Sequence, residues 1–123
     1  MTLDSAVPMS LDGEQVDLLR LLAYVYLQHG KAGPAAVLFQ AIHLLEPHDA
    51  AITRSLACSL LRDGQADEAL ALLDQLAFDG DFNALTELLR GQALARLGRG
   101  EEAAMAMHRF VALRTSVAIT EGL

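Results

Sequence analysis

The sequence predicts an all-α fold, an α-solenoid of three tandem helical hairpins, on three observations. Apolar residues make up 53% of the 123 residues and aromatics only 5%, with leucine and alanine dominant and Val, Ile and Thr sparse. That composition favours helix over strand. Glycines recur at a spacing of 34 residues, at Gly30, Gly64 and Gly98. Around them the same residue types return in register: Ala23, Ala57 and Gly91; Tyr26, Leu60 and Leu94; Ala35, Ala69 and Ala103; Phe39, Leu73 and Met107. Self-similarity at such a period marks a stack of repeated units.

Each element has a local cause. The first helix is expected over about 14–29 and closes at Gly30, which can take the left-handed conformation a helix end often needs. The second, about 34–45, opens at Pro34, where a missing N–H costs nothing, and Pro47 after "HLLE" stops it. The third, about 50–63, ends at Gly64. The fourth, about 66–77, carries Asp67 and Glu68 in its first turn, where carboxylates complement the helix dipole. "FDGDFN", Phe78 to Asn83, is the second inter-repeat turn. The fifth, about 83–97, closes at Gly98, and the sixth, about 101–115, opens on Glu101 and Glu102. Small residues on one helix face the alanine of the next so that the axes come close, and large residues fill the space on either side. Residues 1–12 are expected as a flexible N-terminus and 13–123 as a single domain, with repeats at about 16–49, 50–83 and 84–117.

These columns resemble the tetratricopeptide repeat (TPR). Its first helix wants apolar, small and aromatic residues where this chain has Leu22, Ala23 and Tyr26; then Leu56, Ala57 and Leu60; then Arg90, Gly91 and Leu94. Its second wants alanine, aromatic, small and proline, met by Ala35, Phe39, Ile42 and Pro47, then Ala69, Leu73, Leu76 and Asp81. The departures are the lack of Trp, the single terminal proline and Arg90 at an apolar place. The resemblance covers about residues 16–115.

A narrower stretch, "LQHGKAGPAAVLFQAIHLLEPHDA", together with the chain length, is similar to the small three-repeat chaperones of bacterial type III secretion, the YscY type. The SycD-type translocator chaperones are more distant. The narrower resemblance implies a cytoplasmic bacterial protein whose partner is a small secreted export component of the YscX type, the pair then engaging the export gate. A general TPR adaptor in another bacterial assembly is the alternative.

In a stacked array the first helix of each hairpin lines the concave side. The expected partner-binding groove comprises Arg20, Leu21, Tyr24 and Leu27; Arg54, Cys58, Leu61 and Arg62; and Leu85, Leu88, Leu89, Gln92 and Arg96. Four of the nine basic residues fall on this side and only Asp17 of the sixteen acids. An apolar floor with arginine rims suits an amphipathic segment bearing carboxylates. Some leucines of the run Leu18, Leu19, Leu21 and Leu22 are core whatever the function. Met105, Met107, Phe110, Val111 and Leu113 give the last helix more apolar surface than one contact uses. The tail, a partner chain or a second copy of the chain is therefore expected to cover it.

Other classes are disfavoured. A net charge of −7 argues against non-specific nucleic-acid binding. No apolar run approaches membrane-spanning length, and the basic start and apolar core of a signal peptide are missing. Cys58 alone forms no disulfide framework. His29, His43, His48 and His108 show no ligand spacing, and no set of nucleophile, base and acid can be nominated, so neither a metal, a cofactor nor catalysis is expected. "DGDFNALTE" starts like a calcium loop, but Ala84 and Arg90 stand where glycine and glutamate are needed.

Overall fold

The computed structural model describes residues 12–122, with side chains through 116. The expected loose N-terminus lies, for residues 1–11, outside the described residues. Asp12, expected with it, instead caps the first helix. Six helices follow in order: α1 (Gly13–Gln28), α2 (Ala32–Leu45), α3 (Ala50–Arg62), α4 (Ala66–Phe78), α5 (Ala84–Arg96) and α6 (Gly100–Gly122). Each packs on the next, and α3 also touches α5. The result is the expected solenoid of three hairpins, α1–α2, α3–α4 and α5–α6.

The helix ends follow from local chemistry. At Gly64, φ is 81°. Its N–H donates to the Leu61 carbonyl at 3.2 Å, and the next N–H, of Gln65, reaches back to the Leu60 carbonyl at 2.8 Å. This pair of bonds satisfies carbonyls that a helix end otherwise leaves open. Gly30 and Gly98 make the same two bonds within their hairpins, and so does Gly80, which closes α4 before the inter-repeat turn. The first helix of each hairpin is capped by a side chain. Asp12 accepts from the Gln15 N–H, Asp49 from the Ile52 N–H and Asn83 from the Leu85 N–H, and Gln15 Oε1 accepts in return from the Asp12 N–H. The second helices of the first two hairpins have no such cap. α2 starts at Ala32, two residues before the expected opening at Pro34, so Pro34 falls at the third position of the first turn, where its missing N–H is still harmless.

The recurring columns are the core. Ala23, Ala35, Phe39, Ala57, Ala69 and Leu73 are all fully buried. One cluster joins α1, α2 and the start of α3; a second joins the rest of α3 to α4, α5 and α6. Leu60 and Leu72 pack against both, so the core is continuous. In the third repeat Gly91 replaces the small alanine for a steric reason. A Cβ there would lie 2.6 Å from Met107 Sδ, the bulky residue of the facing helix.

Arg90, the outlier of the repeat pattern, is accommodated by charge. Its Nε donates to Asp74 Oδ1 on α4 at 3.0 Å, and its terminal nitrogen donates to both oxygens of Glu87. Glu87 also accepts from Arg109 Nε on α6 at 3.1 Å. An ion network over α4, α5 and α6 thus takes the place of an apolar contact.

For the last helix the expected end is corrected, and one of the alternatives for covering it falls away. It does not stop near residue 115 but continues to Gly122. The segment after Thr115 therefore extends the helix rather than turning back over it.

Candidate functional site

The first helices of the three hairpins, α1, α3 and α5, share one side of the solenoid. Two hollows open along it. One, of about 360 Å³, lies among Tyr24 and Leu27 of α1, Arg54, Ser55 and Cys58 of α3, and Asn83, Leu85 and Leu89. The other, of about 560 Å³, lies among Cys58, Leu61 and Arg62 of α3 and Leu85, Leu88, Leu89, Gln92 and Arg96 of α5. Cys58, Leu85 and Leu89 belong to both, so the hollows form one trough across the concave side.

All the expected groove residues except Arg20 and Leu21 line this trough. Arg20 is held away by acids of the first inter-repeat turn, with Glu46 Oε2 at 3.1 Å and Asp49 Oδ2 at 3.6 Å. Leu21 is exposed and lines neither hollow. Leu61 and Leu89 border the trough from beneath. Both are buried members of the core cluster and offer little surface to a ligand. Leu85 and Leu88 supply the accessible apolar floor.

Tyr24 has two duties. Its ring meets the Phe39 ring edge-on, with centroids 5.0 Å apart. Its hydroxyl lies 2.8 Å from Ser55 Oγ, linking α1 to α3 across the trough. Cys58 is a free, half-buried thiol in the shared floor. His29 directs Nδ1 to the Val25 carbonyl of its own helix at 2.8 Å.

The expected arginine rim is corrected in its charge. Arg54 donates to Asp81 Oδ2 at 2.9 Å, and Asp81 also accepts from Thr86 Oγ1 at 2.5 Å. Arg20 and Arg54 occupy equivalent repeat positions, and each is neutralised by the acids of the turn that follows its hairpin. Arg96 donates to the Leu61 carbonyl and makes no ion pair among the described residues. Arg62 is exposed and is likewise free of ion pairs there. The uncompensated positive charge of the trough is therefore at its α3–α5 end. Glu46, Asp49 and Asp81 were missed in the sequence reading because they sit in turns. Their recurrence after Arg20 and Arg54 at nearly equal spacing was the available signal.

Among the described residues, no three His, Cys, Asp or Glu side chains gather as a metal site would require. No described helix is long and apolar enough to cross a membrane.

Comparison with solved structures finds the same fold in other proteins. PcrH, in a complex with the chaperone binding region of PopB, superposes with a TM-score of 0.79 at 21% sequence identity, over 87% of this chain and 86% of that one. The likeness establishes a TPR-like helical-repeat fold. No family model matches the sequence, and no curated protein does.

Proposed function

We propose that this chain is a non-enzymatic chaperone of a bacterial type III secretion system, of the YscY type. In this reading it holds a small secreted, YscX-like export component in its concave trough and presents it to the export apparatus. The observation that carries the reading is the trough itself: a continuous concavity with an accessible leucine floor at Leu85 and Leu88 and two unpaired arginines, Arg62 and Arg96, at one end. An amphipathic helix lays its apolar face into such a groove, and its carboxylates meet the guanidinium groups. The shared fold with PcrH, whose structure holds a segment of PopB, supports peptide capture by this architecture. Apolar burial, at about 25 cal/mol per Å² before ordering costs, would supply the affinity. The arginines would set orientation and association rate.

The test is co-purification from the native host, with Leu85→Glu and Leu88→Glu alongside the wild type. A short secreted protein that is insoluble alone, and that both variants lose while staying helical, is the expected result. A large, independently stable scaffold would favour the adaptor reading. Wild-type recovery of the partner by both variants would show that the trough is not the binding surface.

A further inference from the structure

The repeat register shows what the outer face of α1 is built to receive. Ile52 and Leu56 of α3 are buried against Phe39 and Ile42 of the preceding helix α2. One repeat later, Thr86 and Ala93 of α5 are fully buried, and Arg90 is bonded to Asp74 of the preceding helix α4. The equivalent α1 positions are Leu18, Leu22 and Val25, and they are 65%, 40% and 40% exposed. α1 thus carries the face that accepts a preceding second-type helix, and among the described residues no helix covers it.

The last described helix, α6, carries the complementary half. His43 of α2 reaches Thr53 of the following helix, 3.3 Å away, and Ala77 of α4 lines a hollow together with Glu87 of the helix that follows it. The equivalent residue on α6 is Val111, which is 58% exposed. No seventh helix stands among the described residues to cover it. The flanking charges are of opposite sign. Glu14 and Asp17 near the start of α1 make no ion pair among the described residues, and exposed Arg114 lies in the C-terminal half of α6. Consecutive helices joined by tight turns run antiparallel, so continuing the stack places the start of one α1 beside the later turns of another α6.

We infer that these two faces bind each other between copies: α6 of one molecule packs on α1 of the next as α2 packs on α3, giving head-to-tail association. A contact of this kind is heterologous, so it leaves one face open at each end of an assembly. It uses the outer ends of the solenoid and leaves the trough free. It does not depend on the chaperone reading.

The test uses the full chain, Leu18→Glu, Val111→Glu and an equimolar mixture of the two variants, in light scattering and sedimentation from micromolar to millimolar concentration. Both positions are more than half exposed, and circular dichroism verifies that each variant is folded. The wild type should rise above its 13.2 kDa monomer mass with concentration. Each variant alone should stay monomeric. The mixture should form a dimer and stop there, since only one intact α1 and one intact α6 can meet. Three results would overturn the inference: a wild type that stays monomeric throughout, a Val111→Glu protein that still dimerises through α1 alone, or a wild type that associates only after residues 1–11 are removed, which would make that segment the occupant of α1. Leu88→Glu in the trough should leave the association unchanged.

Discussion

Arg90→Leu gives the third repeat the residue type that the second carries at Leu56, yet on its own it should destabilise the protein. Arg90 bridges Asp74 at 3.0 Å and Glu87 at 3.1 Å. Asp74 is half exposed, so that pair contributes about 0.2–1 kcal/mol. The Glu87 side chain is only 9% exposed and shares its charge between Arg90 and Arg109. Hydrogen bonds to charged groups are worth about 1.5–3 kcal/mol, and losing one leaves a poorly solvated carboxylate with a single partner. A fully buried leucine returns roughly 1.5–3 kcal/mol, but here it would enter a space edged by two carboxylates and recover about half of that. The net loss is about 1–2 kcal/mol. Adding Glu87→Thr recreates the pair that the second repeat has at Thr53 and Leu56. The double variant should then return to within about 0.5 kcal/mol of the wild type. Arg109 is already half exposed and can be solvated. Urea unfolding of the four proteins of this cycle, followed by circular dichroism, measures the coupling. If Arg90→Leu is as stable as the wild type and the two substitutions are additive, the ion network is not what replaces apolar packing in the third repeat.

Ala57 is fully buried where α3 meets its neighbours, so Ala57→Leu should overpack that contact and cost about 1–3 kcal/mol in the same unfolding assay. Arg54→Glu should lower the melting temperature, because it sets a second carboxylate against Asp81; Arg62→Glu, at an unpaired site, should leave melting unchanged and slow partner association in a salt-dependent way, read by stopped flow on the co-purified complex. The hydrogen bond and charge of Arg99 hold the exposed Glu102 carboxyl below its ordinary range, so the small stabilisation from this pair is present at neutral pH and lost as pH falls through that lowered value. In Arg99→Ala the Glu102 resonance should titrate higher, and an unchanged NMR titration would contradict the pairing.

The fold was legible because its determinants are local and repeated. Gly30, Gly64 and Gly98 each end a helix through their own backbone conformation. The small and large columns name the faces that meet, so helix count, order and hairpin pairing could be read from spacing alone. The end of α6 was less legible. No glycine or proline stands between Gly100 and Gly122 to stop it, and the expected end at residue 115 had no chemical marker.

The site was legible in outline and not in detail. Positions along α1, α3 and α5 predicted which side chains face the concavity, and most of them line it. Depth and charge could not be read in the same way. Leu61 and Leu89 sit on the right face but sink into the core, because the neighbouring second helices close beneath them. Arg20 and Arg54 are ion-paired with Glu46, Asp49 and Asp81, residues from the turns beyond the next helix.

What the amino-acid sequence determined by itself was the period, the helix ends and the faces, since each depends on a residue's own conformational preference and on neighbours within a turn or two. What the tertiary structure alone decided was which groove arginines remain unpaired, which leucines remain accessible and how Arg90 is tolerated. Those outcomes depend on side chains brought together from different helices and turns, and burial and Coulomb energy are set by that three-dimensional company rather than by position along the chain.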